Sequence, residues 1–194
     1  MNKEKIVLAS GNVHKIKEIQ QMMPDYEIIG YKELGFDFEI EENGKTFYEN
    51  ALIKAKTVSE KLSLPALADD SGICVEALND QPGIYSARYA GDGIDENNNK
   101  LLLKNMQGEK NRKAKFVCCM VYYKPDGTIL TATGETHGEI MDKCYGENGF
   151  GYDPLFFSHD LNKCLGIATD KEKNTISHRF RAIEGIKKKL QELK

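Results

Sequence analysis

Strand and helix periods alternate along the first half of the chain and a hairpin pattern follows, which constrains the fold more than any other feature. KIVLAS is a short apolar run ending in small residues, and GNVHKIKEIQQMM then sets Ile16, Ile19, Met22 and Met23 at helical spacing before Pro24. YEIIGY reads as a second strand. Thr46 and Glu49 have the spacing of a capping box. Phe47, Ala51, Ala55, Val58 and Leu62 then form the apolar stripe of a long helix that stops near Pro65. LPALADDSGICVEAL predicts a short buried strand, an acidic turn and a second strand in which Ile73, Val75 and Ala77 alternate. Ile94 through Met106 is predicted helical, EKNRKAK is predicted to be a solvated loop, and FVCCMVYYKPDGTILTAT is predicted as a hairpin about a Pro-Asp-Gly turn. The tail from Ser177 is predicted as a helix with Phe180, Ile183, Ile186, Leu190 and Leu193 inward. This order predicts an α/β fold whose sheet is mixed rather than purely parallel.

No linker or charge block divides the 194 residues, so residues 1–194 are expected to form a single domain. Charge limits the partners. With 27 basic against 30 acidic residues the net charge is −3, which argues against a dedicated nucleic-acid binder and gives no polybasic membrane signal. No run approaches the about 20 apolar residues of a membrane span, and MNKEKIVLASGN lacks the apolar core of a signal peptide. A cytoplasmic location is therefore expected. The five cysteines contain no C-x-x-C and are expected to be buried free thiols, with Cys118 and Cys119 on opposite faces of a strand. The four histidines show no zinc spacing.

Four polar clusters offer chemistry. Ser10, Gly11, Asn12, Val13, His14 and Lys15 lead from a strand into a helix, where free amides and the dipole attract an anion. The alternative is an ordinary helix start capped by Ser10 or Asn12. Asp69 and Asp70 end a buried-looking strand, where unpaired carboxylates are costly. Because strand side chains alternate, one of the two can serve a metal or a water and the other the structure; an Asx-type turn is the alternative. Glu41 and Glu42 form a second acidic turn that could add an oxygen ligand, a set that suits magnesium completed by substrate phosphates.

Phe150, Gly151, Tyr152 and Asp153 form a loop whose aromatic rings could stack on a planar base or merely plug a tight turn. His178 and Arg179 lie in the first turn of the last helix and Lys173 just before it, where positive charge opposes the dipole. They await an anion or acceptor oxygens there, unless they are simply solvated. Lys54 and Lys56 add basic candidates within the capped helix.

The wording and order of these clusters are specific. SGNVHKIKEI, EENGKTFYENALIKAK, LPALADDSGICVEALNDQPGIYSARYAG, GFGYDPLFF and ISHRFRAI together resemble the inosine triphosphate pyrophosphatase family of nucleotide house-cleaning enzymes, from about Ile6 to Ile183. The resemblance implies an elongated mixed sheet with flanking helices, two lobes around a central cleft, and a homodimer. It also implies magnesium-dependent hydrolysis of inosine, deoxyinosine and xanthosine triphosphates to monophosphate and pyrophosphate. Position by position, Ser10 through Lys15 match the triphosphate loop and Lys54 the phosphate-facing lysine. Asp70 matches the general base and a metal contact, Glu41 the other metal contact, and Ser71 a residue beside the substrate. Phe150, Gly151, Tyr152 and Asp153 match the base-and-sugar loop, and Lys173, His178 and Arg179 the base-reading end. His14 stands where many relatives carry Gly. Two rival classes have less support. A haloacid-dehalogenase-type phosphatase needs D-x-D, whereas Asp69 and Asp70 are adjacent; a catalytically silent nucleotide-binding module has no use for Asp70, Glu41 and Lys15 together.

Overall fold

The structure is a computed structural model that describes residues 3–193. Its strands are β1 (Glu4–Leu8), β2 (Tyr26–Gly30), β3 (Ala66–Val75), β4 (Gln81–Pro82), β5 (Lys113–Tyr123), β6 (Ile129–Ile140), β7 (Phe156–Ser158) and β8 (Lys163–Cys164). The helices are α1 (Val13–Met22), α2 (Phe47–Leu62), α3 (Asp95–Asn105), α4 (Asp170–Ile176) and α5 (His178–Glu192). One sheet has the order β2-β1-β3-β5-β6-β7-β8, with β4 beside β3. β1 pairs in parallel with β2 and β3, while β7 runs antiparallel to β6 and β8, so the sheet is mixed as predicted.

The chain divides into two compact units. The first holds the residues through Asp70, Cys118–Gly134 and the tail from Phe180; the second holds Ser71–Val117 and Glu135–Arg179. In the first unit the period-2 alternation of the strands supplies two cores. Ile6 and Leu8 of β1, Leu67 of β3, and Cys118, Met120 and Tyr122 of β5 pack with Ile19 of α1 and with Ile183 and Ile186 of α5. Val7, Ala66, Ala68 and Val121 point the other way and meet Ala51, Ala55 and Val58 of α2. Each fully buried aliphatic side chain here contributes about 1.5–3 kcal/mol. Gly185 lets α5 approach β6, because a Cβ there would lie 2.7 Å from that of Ala132. The second unit has its own core of Ile73, Val75, Phe116, Ile140, Leu155 and Phe156 with Leu102 and Met106.

Several sequence expectations need correction. No acidic turn breaks LPALADDSGICV: β3 is one ten-residue strand, and Ala77 falls in the 3₁₀ turn after it. EKNRKAK is only in part a loop, since Lys113–Lys115 open β5 and Arg112 donates to the carbonyls of Met106, Ile140 and Met141 at 2.6–2.9 Å. Leu193 is exposed, one turn beyond the last buried residue of α5. Thr46 caps α2 by accepting from the Glu49 amide, but the Glu49 carboxylate returns to the Lys45 amide rather than to Thr46. A full capping box stands instead at Thr169 and Glu172, opening the unforeseen helix α4. Of the cysteines Cys144 is exposed, while the other four are buried.

Candidate functional site

In the first unit the alternation along β3 sends the two aspartates to opposite faces. Asp69 shares the face of Leu67; its Oδ2 lies 3.1 Å from Lys15 Nζ and 3.8 Å from the Cys118 thiol, which donates to it. Asp70 shares the face of Ala68, toward α2. Its Oδ2 accepts from Asn50 Nδ2 at 3.1 Å, and its Oδ1 is 3.9 Å from Lys54 Nζ. Asn50 and Lys54 are one helical turn apart and adjoin the apolar stripe of α2, which carries both against the strand. Lys54 makes its shorter ion pair, 3.0 Å, with Glu42. Lys56 is on the exposed face of α2, paired with Glu60.

Burial pushes the Asp70 carboxyl above the usual aspartate range, against the pull of Lys54, Asn50 and Lys15. Burial also works against the Lys54 charge, but Asp69, Asp70 and Glu42 outweigh it and hold this ammonium above its usual value. The two directions fit together. Three carboxylates share one buried cation, so the lysine is well compensated and Asp70 is not. A carboxylate whose pKa is raised is a better proton acceptor than an ordinary aspartate.

At the start of α1 the side chain of Asn12 accepts from the amides of His14 and Lys15, and Ser10 Oγ accepts from the Asn12 amide. Asn12 is therefore the cap, and two of the loop's amides are committed to it. The anion-attracting element left in the segment is the Lys15 ammonium with the helix dipole, while Gly11, Val13 and His14 are exposed. On the loop before α2 Glu41 is exposed, and its neighbour Glu42 is the acid that turns to Lys54.

In the second unit the remaining candidates gather around Phe150. Lys173, from α4, places Nζ 2.7 Å from Asp153 Oδ2 and 4.5 Å from the centre of the Phe150 ring. The Arg179 guanidinium lies 5.9 Å from the same ring and donates to Ser71 Oγ at 3.0 Å. Asp153 Oδ2 also accepts from the Phe150 amide, and Gly149 is required beside it, because at φ +76° a Cβ would fall 2.1 Å from that oxygen. His178 stacks on Phe116 with ring centres 4.9 Å apart and planes 13° apart. Lys173, His178 and Arg179 are all buried, so their being merely solvated is excluded.

Tyr152 is also buried, and its hydroxyl donates to the Ser86 carbonyl at 2.7 Å, so its ring belongs to the core and offers no stacking face. Asp153 is likewise an internal pin, with Lys173 and the Phe150 amide as its partners. Sequence reasoning passed over Asn50, which its spacing from Lys54 could have flagged, and the run Asn97–Asn99 on α3. Among the described residues no group of three or more His, Cys, Asp or Glu side chains is arranged to hold a metal ion.

The Ham1 family model matches residues 6–189. A dITP/XTP pyrophosphatase of Campylobacter jejuni is 46% identical over 188 residues, covering 93% of this chain and 94% of its own. The solved Ham1 protein of Staphylococcus aureus is 44% identical with a TM-score of 0.90, over 98% of this chain and 100% of its own. A HAM1 protein from Coxiella burnetii is 39% identical with a TM-score of 0.88, over 97% and 99%. The resemblance read from the sequence is thus borne out along nearly the whole chain, and the protein belongs to the Ham1 family.

Proposed function

We propose that the protein hydrolyses triphosphates of deaminated purines, those of inosine, deoxyinosine and xanthosine, to monophosphate and pyrophosphate, and so clears them from the nucleotide pool. The observation that carries this reading is the Asp70–Asn50–Lys54 arrangement, a carboxyl with a raised pKa beside a buried ammonium. The matched relatives bear the name dITP/XTP pyrophosphatase.

A triphosphate carries about four negative charges, and the side chains available to meet them are Lys15, Lys54 and the start of α1. Each lysine already faces a carboxylate, so a phosphate oxygen replaces one acceptor by another of higher charge. The donor set also fits magnesium, which takes one or two carboxylates and leaves the rest of its shell to phosphates and water. Asp70, with Glu41 or Glu42, would supply those carboxylates. Bound there, magnesium would supply charge neutralisation and a lowered pKa for water. Asp70 orients a water and accepts its proton. The water oxygen joins the α-phosphorus, and the α–β bridging oxygen leaves with pyrophosphate. Asn50 holds the Asp70 carboxylate in position, because its amide donates to Oδ2.

Phe150 provides the face for the purine. The 6-oxo group of inosine or xanthosine accepts from donors such as Arg179 and His178, whereas the 6-amino group of adenine meets donor with donor. Ser71, Gly151 and Lys173 line or support this base-reading part. A homodimer and a cytoplasmic location accompany the proposal; among the described residues no helix is long and apolar enough to cross a membrane. Hydrolysis of deoxyinosine triphosphate in oxygen-18 water tests the cleavage position. The label is expected in the monophosphate, with one pyrophosphate per turnover. Label in orthophosphate, with nucleoside diphosphate accumulating, overturns the reading.

A further inference from the structure

The run DENNN at the start of α3 plays no part in the chemistry above, yet its side chains bind the main chain of Gly151 in Phe150's loop and of Ala87 and Ala90. Asp95 and Asn99 are one helical turn apart and so share a face. Between them they take both main-chain groups of one residue: the Gly151 amide donates to Asp95 Oδ2 at 2.7 Å, and Asn99 Nδ2 donates to the Gly151 carbonyl at 3.0 Å. Asn99 is buried, and its Oδ1 has no hydrogen-bond partner, so its bond to Gly151 is the polar contact that justifies its place. Gly151 has φ +61° and open space where a Cβ would be, so glycine is there for conformation rather than for close approach. Asn98, the residue before Asn99, accepts from the Ala90 amide and donates to the Ala87 carbonyl, which fixes the segment that carries Ser86. Ser86 in turn holds the Tyr152 hydroxyl.

We infer that Asp95 and Asn99 are positioning residues, a two-point clamp on Gly151 that sets where the Phe150 ring lies and hence how tightly the purine stacks. The inference rests on the base-binding role proposed for Phe150. Neither side chain touches reacting atoms, so loss of the clamp acts on binding and leaves the chemistry at Asp70 alone. It is also not redundant with Asp153, which holds the Phe150 amide but neither main-chain group of Gly151.

The test compares Asn99→Ala, Asp95→Ala and the conservative Asp95→Asn, which keeps an acceptor oxygen for the Gly151 amide. Two readouts are needed: hydrogen exchange of the peptide spanning residues 147–155 in the free protein, and KM and kcat for deoxyinosine triphosphate. In both alanine variants exchange of this peptide is expected to accelerate about tenfold, with KM up about tenfold and kcat within about threefold of wild type. Asp95→Asn is expected to restore both readouts to within about twofold. Unchanged exchange in the alanine variants overturns the clamp, and faster exchange with unchanged KM overturns its role in stacking. Equal losses in kcat and KM mark a merely structural role and overturn it too. Because exchange is read without substrate, failure of the clamp is distinguishable from failure of the proposed activity, which a wild type inert toward deoxyinosine triphosphate would reveal.

Discussion

The two units each hold a lysine–aspartate pair, and the pairs are built differently. In the second unit Lys173 and Asp153 are 2.7 Å apart, with side chains 5% and 3% exposed. In the first, Lys54 and Asp70 are 3.9 Å apart and 11% and 10% exposed, and Lys54 leans toward Glu42 instead. A tight, sealed pair is a scaffold: it holds a ring and a loop, and nothing can replace either partner without leaving a buried charge. A loose pair with a competing carboxylate can exchange partners, which is what a group that must meet phosphate and then release it requires. Pair geometry thus distinguishes the Lys173–Asp153 scaffold from the exchangeable Lys54–Asp70 pair where residue type does not, while Lys15, 3.1 Å from Asp69, keeps a partly exposed side chain.

The largest expected effect tests the scaffold. Lys173→Met leaves Asp153 buried without its cation and should cost about 3–5 kcal/mol in urea unfolding. Lys54→Met should cost under half as much, since Asn50 still satisfies Asp70. Equal losses at the two sites would break the contrast.

Asp70→Asn comes next and should lower kcat by about 100-fold while the fold persists. Its stability should move the other way. The folded-state pKa of Asp70 lies above the ordinary aspartate value of 3.8, so in the window between the two the folded chain binds more protons and stability falls as pH rises. Removing the ionisable group removes that loss, so the variant should equal or exceed wild type in urea midpoint at pH 7. For the same reason the acid limb of wild-type kcat/KM should lie above the usual aspartate range. Asp69→Asn, in contrast, should weaken the fold through Lys15. Equal loss of kcat with equal stability in the two variants would remove the division of labour between the faces of β3.

A smaller effect sharpens the account of the second unit. Arg179→Ala should lower the ratio of kcat/KM for deoxyinosine over deoxyadenosine triphosphate by about tenfold, because an acceptor-specific donor is lost while stacking on Phe150 survives. An unchanged ratio would leave Arg179 a structural role alone. Smallest of all, Lys56→Ala should alter stability by under about 0.5 kcal/mol, as its pair with Glu60 is solvent-exposed. A larger change would mean that α2 depends on its outer face.

Much of this was legible in the sequence. The Ile16–Met23 spacing, the Ala51–Ala55–Val58 stripe and the paired runs about Pro125-Asp126-Gly127 each match the element found. Alternation alone also separated Asp69 from Asp70. These are statements about residues two to four positions apart, where backbone geometry fixes which side chains share a face. Other features were out of reach. The aspartates looked like a turn and proved to be mid-strand, because pairing of β3 within the sheet overrides a local preference of Asp for turns. Lys173 and Arg179 were open between a ligand and solvent, and Tyr152 looked available for stacking.

What the sequence by itself determined is therefore the order of the longer elements, the mixed sheet and the family. What the tertiary structure decided is which polar groups are sealed and which remain exchangeable. The physical reason is range. Asn50 meets Asp70 across 20 positions, Gly151 meets Asn99 across 52, and Arg179 meets Ser71 across 108. Burial raises or lowers a pKa, fixes a ring or frees a lysine only once such distant partners are assembled.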